Sequence, residues 1–154
     1  VLIDESGIFL SPRVRRSFSP RGQTPVLKTP GRKRQKVSLI AALSIAPRNQ
    51  RVSLLFPTVA DRHITQVETA AALRQRLRHR LGPVLLIWDR GSTHKGAALR
   101  QVLADYPRLE MPWLPAYAPE LNPNEYVWNY LQYGALANYL PNDTQELEDR
   151  TMET

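Results

Sequence analysis

The spacing of apolar positions changes several times along the chain. Val1-Leu2-Ile3 is a short apolar run closed by Asp4, which predicts a buried strand ending in an acid. Gly7 predicts a tight turn, and Ile8-Phe9-Leu10 the start of a partner strand. Residues 11 to 36 hold Pro12, Pro20, Pro25 and Pro30 among arginines and serines. Proline cannot donate to a ladder, so this stretch reads as extended loop. Val37 to Ile45 predicts a strand, Pro47 to Gln50 a turn, and Arg51 to Phe56 the returning strand of a hairpin. From Asp61 the period lengthens: Val67, Ala70, Leu73 and Leu77 fall on one helical face, and Gly82-Pro83 stops that helix. Val84 to Trp88 is continuously apolar, as expected of a central strand covered on both faces, and Asp89 follows directly. A second helix is expected from about Thr93 to Asp105, then a strand over Leu109 to Leu114, with Pro112 marking an edge or an early end. Residues 115 to 123 are too proline-rich for regular structure, and a third helix is expected from Asn122 or Pro123 to about Tyr139. This order describes an α/β domain with a mixed sheet.

Charge divides the chain unevenly. Its net charge is +7, yet residues 6 to 60 hold eleven Lys or Arg and no acid. Residues 61 to 154 hold ten bases and twelve acids. The basicity belongs to one segment, the footprint expected for a polyphosphate partner. The absence of cysteine excludes disulfides and thiolate metal sites, and leaves carboxylates and three histidines as possible ligands. It also fits a cytoplasmic setting. No apolar run approaches the roughly 18 residues of a membrane span, and no signal-peptide pattern opens the chain.

Three acids stand at informative places. Asp4 closes the first strand, Asp89 closes the strand expected to be central, and Glu125 lies in the first turn of the last long helix. Ligands of open α/β sheets gather at the carboxyl ends of strands. Three converging carboxylates make a hard-oxygen site suited to Mg²⁺ or Mn²⁺. Each acid also has a structural reading. Asp4 and Asp89 suit turns or caps. With Asn122 as N-cap and Pro123 as first helical residue, Glu125 falls at the reciprocal position of a capping box. Glu5, next to Asp4, should face the other side of the sheet.

The strings around these acids resemble the DDE transposases of mariner-related bacterial insertion sequences. They are Leu2-Ile3-Asp4-Glu5-Ser6-Gly7, then Leu86 to Lys95 (LIWDRGSTHK), then Leu114 to Trp128 (LPAYAPELNPNEYVW), with Pro20-Arg21-Gly22-Gln23-Thr24-Pro25 between the first two. Arg90 departs from the small polar residue common in the family. The resemblance implies a ribonuclease H-like mixed sheet flanked by helices over residues 1–140, with residues 141–154 left as a flexible acidic tail. It also implies a catalytic triad of Asp4, Asp89 and Glu125 holding two Mg²⁺ or Mn²⁺ ions. The function implied is DNA strand cleavage and strand transfer in cut-and-paste transposition. Further implications are a TA-containing target, a homodimeric synaptic complex, and a bacterial cytoplasm with the protein on the nucleoid when bound to DNA. Proteins of that family carry N-terminal helix-turn-helix domains, and the chain is expected to be the catalytic part alone. Two readings compete: a catalytically inactive DNA-binding remnant, and a ribonuclease H-like nuclease.

Other residues have supporting parts. Arg13, Arg15, Arg16, Arg21, Arg32, Lys33, Arg34 and Lys36 are the expected phosphate-binding surface. His94 and Lys95, at the expected start of the second helix, are candidates for contact with the scissile phosphate or flanking DNA. Trp88 and Trp128 read as core residues. Phosphate contacts give affinity and register with little sequence information. The chain alone is therefore expected to bind DNA with steep salt dependence and little sequence preference. A titration across salt concentrations checks this, and a nanomolar, salt-insensitive preference for one sequence would contradict it.

Overall fold

The computed structural model describes residues 1–11, 13–26, 28, 35–60, 64–89, 91 and 96–154. Strand β1 (Leu2–Phe9) pairs antiparallel with β2 (Lys36–Ile45), with Leu2 opposite Leu43 and Asp4 opposite Ala41. The other edge of β2 takes two short strands, β3 (Val52–Leu55) and β4 (Thr58–Ala60). Helix α1 (Gln66–Arg78) leads to β5 (Val84–Leu85), and α2 (Ala97–Asp105) leads to β6 (Leu109–Glu110), parallel to β5. The two small sheets meet where Leu2 bridges Ile87 in parallel, with Ile87 N donating to the Val1 carbonyl at 2.8 Å. The spatial order is therefore β3 and β4 on one edge, then β2, β1, β5 and β6. The expected α/β mixed sheet is present.

Strand alternation sorts the side chains into two layers. Ile3, Ile40, Ala42, Leu86 and Trp88 pack under α1 and α2. Ile8, Val37, Leu39 and Ala41 pack on the opposite face against Trp128, Leu131 and Leu147. These last belong to α3 (Asn124–Tyr130), the π-helical turn that continues it (Leu131–Ala135), and α4 (Thr144–Met152). Both faces of β2 are buried, which explains its nearly unbroken apolar sequence.

Several expectations need correction. Gly7 makes no turn: β1 runs through it, paired with Ser38. Arg51–Phe56 is only part of the returning edge, since Pro57 interrupts pairing and β4 resumes it along the other half of β2. Val67 is 62% exposed, and Thr69 takes the buried place beside Ala70, Leu73 and Leu77. The Thr65–Glu68 capping box fixes where α1 begins and which residues face inward. Helix α2 is described from Ala97, after Gly96; its expected start at Thr93 lies outside the described residues. The ladder between β5 and β6 is short. Leu86 N donates to the Glu110 carbonyl and Leu114 N to the Trp88 carbonyl, while Pro112 between them has no N–H to donate. The loop before α3 contains one 3₁₀ turn, Pro119–Leu121.

The largest correction is the acidic tail. Residues 144–152 form α4, capped by the Asp143 carboxylate on Glu146 N at 2.8 Å, with Leu147 and Thr151 buried against the sheet. Of the three acids on this helix, Glu146 and Asp149 bond locally and Glu148 accepts from Thr58 of β4, so composition concealed an amphipathic segment. Leu147 is 1% exposed. Leu147→Ala is expected to lower stability by about 2–5 kcal/mol in urea unfolding, whereas a frayed tail would make that substitution neutral.

Candidate active site

The pairing of β1 with the strand that begins as β5 places the first two acids. Leu2 and Ile87 are bridged in parallel. Two residues further along each strand, on the same face, stand Asp4 and Asp89. That face is opposite to Trp88, which lies wholly inside the α1–α2 layer. Asp89 Oδ1 accepts from Gly91 N at 2.9 Å, so the Asx-turn reading of this residue is present in the fold. Glu5 points the other way, accepting from Thr69 Oγ1 of α1 at 3.3 Å, as alternation requires.

The third acid comes from α3, and two side chains one helical turn apart fasten that helix to β1. Asn124 Nδ2 donates to the Leu2 carbonyl at 3.3 Å, and Trp128 Nε1 donates to Asp4 Oδ2 at 2.7 Å. Trp128 is buried and its ring lies against Phe56, 5.6 Å between centroids. Glu125 sits between these anchors in sequence and is exposed. It does not act as the reciprocal member of a capping box. Asn122 N donates instead to the Pro119 carbonyl at 2.9 Å, and the Asn122 side chain caps alone, on Asn124 N at 3.1 Å.

Asp4, Asp89 and Glu125 line one cleft of about 410 Å³, walled by Gly91 and the loop from Leu114 to Pro119. Among the described residues, the lining contains no Lys, Arg or His. No three acids or histidines among the described residues are gathered closely enough to ligate a single ion. The fold thus fixes a shared acidic cleft whose side chains are not drawn onto one point. Its donor chemistry, three carboxylates and no soft ligand, fits hard divalent cations.

Asp4 is 9% exposed, and its acidity reflects that. Burial pushes its carboxyl up to about 6; the indole N–H of Trp128 opposes this, while Glu5, Glu125 and Asp89 add to it by repulsion.

The basic residues lie elsewhere. Arg13 and Arg15 are tied to the far end of the α3 segment. Arg13 Nε donates to Gln132 Oε1 at 3.3 Å and its guanidinium lies 5.8 Å from the Tyr133 ring centroid. Arg15 donates through its side chain to the Tyr133 carbonyl and through its backbone to Asn138 Oδ1 at 2.8 Å. Arg16 and Arg21 are exposed, and Lys36 opens β2 opposite Phe9. None of these lines the acidic cleft. Arg32, Lys33, Arg34, His94, Lys95 and Arg90 lie outside the described residues. Sequence reasoning missed two positioning residues, Asn124 and Trp128. Their spacing of four, flanking Glu125, was the available signal.

Comparison with known proteins agrees with this geometry. A family model described as DDE superfamily endonuclease matches residues 1–148. The chain belongs to the DDE superfamily endonucleases. No curated protein sequence matches it. Among solved structures, it is similar to the Mos1 transposase paired-end complex with left transposon end (20% identity, TM-score 0.68) and to the Mos1 mariner paired-end complex with Mn (20%, 0.68), covering 99% of this chain and 46% of each of those chains. It is also similar to the catalytic domain of Mos1 mariner transposase (17%, 0.59), covering 99% of this chain and 68% of that one. The shared fold is ribonuclease H-like, and the chain spans about half the length of the Mos1 chains in the DNA complexes.

The raised pKa of Asp4 has a signed consequence for stability. The folded state holds this proton more tightly than the unfolded chain, whose aspartates titrate near 3.8. The stabilisation is full below that value and is lost as pH rises through about 6. In a chelator, unfolding free energy should therefore fall across this window by an amount on the order of 2–3 kcal/mol, and Asp4→Asn should remove the fall. Trp128→Phe deletes the opposing N–H and should move the midpoint to higher pH. A pH-independent stability for the parent chain would contradict the assignment.

Proposed function

We propose that this DDE-family chain is the catalytic domain of a cut-and-paste transposase, cutting DNA strands and joining the freed ends to target DNA. The observation that carries the reading is the convergence of Asp4, Asp89 and Glu125 on one cleft from two adjacent parallel strands and a helix. In this reading the three acids hold two divalent ions, Mg²⁺ or Mn²⁺; the Mos1 complex with Mn supports the choice of metal. Bound ions of this kind activate water or a 3′-hydroxyl and stabilise the departing 3′ oxygen of a phosphodiester.

The chain's own residues supply orientation. Trp128 holds one oxygen of Asp4, Gly91 holds one oxygen of Asp89, and the Asn124 and Trp128 anchors keep Glu125 facing the strand ends. Arg16 and Arg21, with Arg32, Lys33, Arg34 and Lys36, are proposed to bind phosphates away from the chemistry. Arg13 and Arg15 hold that segment against the helix. His94 and Lys95 follow Asp89 closely in sequence and are proposed to meet DNA beside the scissile phosphate. The TA target, the homodimeric synaptic complex, and the bacterial insertion-sequence and nucleoid setting are proposed from the resemblance. Residues 1–140 are proposed as the catalytic fold, with α4 as an added brace on the sheet.

A second reading, an inactive DNA-binding remnant, is favoured by one observation: the acids are not gathered tightly enough to share an ion. Calorimetry separates the two. The active reading expects Mn²⁺ binding that is lost in Asp89→Ala. It also expects Mn²⁺-dependent nicking of supercoiled DNA, reduced at least a hundredfold in the same variant. Nicking at the parent rate by Asp89→Ala would sink the proposal.

A further inference from the structure

Tyr117 occupies an unfavourable place. Its backbone has φ of 58°, the left-handed region that a bulky side chain rarely enters. Its side chain is 102% exposed, so no packing against the fold compensates for that conformation. Among the described residues its ring has no hydrogen-bond or aromatic partner. Strain that the surrounding structure does not repay points toward function.

The loop that carries it is well fixed. Upstream, Leu114 N donates to the Trp88 carbonyl, one residue before Asp89. Downstream, Leu121 N and Asn122 N close the 3₁₀ turn onto Ala118 and Pro119, three residues before Glu125. Pro115 and Pro119 stiffen the span between. Tyr117 thus stands on the wall of the cleft that holds the three acids, on a loop tied at both ends to strands or turns bearing them.

The cleft lining has no described cation, so an aromatic ring there suits a neutral, flat part of the substrate. A nucleobase offers such a face, and an exposed ring on a backbone already fixed at both ends meets it without the loop having to order first. We propose that Tyr117 is a base-stacking platform, receiving an unstacked base of the DNA strand whose phosphodiester enters the acidic cleft. This rests on the DNA-cutting reading above.

The test uses the full chain in Ca²⁺, with a DNA duplex bearing a three-nucleotide overhang that contains 2-aminopurine. Stacking should quench the probe in the parent chain and in Tyr117→Phe. Tyr117→Ala and Tyr117→Gly should lose the quench and bind about tenfold more weakly, by the usual magnitude of base–aromatic stacking. Tyr117→Gly should melt no lower than the parent, because glycine accepts the left-handed backbone. That result separates lost stacking from lost folding. Binding with the quench intact in Tyr117→Ala would overturn the inference and leave the DNA-cutting reading standing. An altered oligomeric state in Tyr117→Ala with stacking unchanged would also overturn it, marking the ring as a protein contact. Failure of the parent chain to bind this DNA at all would overturn both readings.

Discussion

The bond between the Trp128 indole and the Asp4 carboxylate ties the site to the fold. Asp4 is nearly buried and is repelled by three acids, and among the described residues the indole N–H is what favours its ionised form. The same bond fastens the helix carrying Glu125 to the strand carrying Asp4. A Trp that reads as an ordinary core residue is therefore also what sets the distance between two acids. Its ring packs in the α3–α4 layer while its single polar atom meets a carboxylate that would be costly to bury unpaired.

Two-residue alternation lets one sheet serve both purposes. In β1, odd positions Ile3 and Glu5 turn toward α1, while even positions Asp4 and Ile8 turn toward α3 and α4. A one-residue slip between β1 and the strand bearing Asp89 would send one acid into the α1–α2 core. The buried indole of Trp88 and the buried Ile3 side chain resist that slip, since either would be driven out of its layer. The placement of Asp4 and Asp89 on one face is thus protected by hydrophobic register.

Much of this was legible in sequence, and the failures share a cause. β2, the hairpin return and the Ala70–Leu73–Leu77 face of α1 follow from local periodicity. The passage of β1 through Gly7 does not, because pairing with Ser38 overrides a glycine's preference for turns. α4 escaped because two buried residues, Leu147 and Thr151, are sparse among acids, and the apolar layer that Leu147 joins comes from residues distant in sequence, among them Val37, Leu39, Trp128 and Leu131. The acids themselves were visible as a pattern, yet the choice between capping and clustering for Glu125 depended on which group takes Asn122 N. The 3₁₀ turn decides it locally, because the Pro119 carbonyl takes that N–H, and proline spacing alone does not reveal the turn.

The electrostatic layout has a further consequence. The acids lie at the start of α3, whereas Arg13 and Arg15 are bound at the end of its π-helical continuation and beyond. Among the described residues the charged groups lining the cleft are all acids, and Arg13 and Arg15 are held away from it along one helical segment. An arginine brought to Asp4 would lower its proton affinity and fill the space between the acids, leaving little attraction for a divalent ion. Separation preserves a concentrated negative field in the cleft and a positive surface elsewhere. In the proposed function, phosphates are held by the second while the bond to be cut enters the first. This arrangement requires cations to cancel the repulsion between carboxylates and substrate, so DNA should engage the cleft only when divalent ions accompany it.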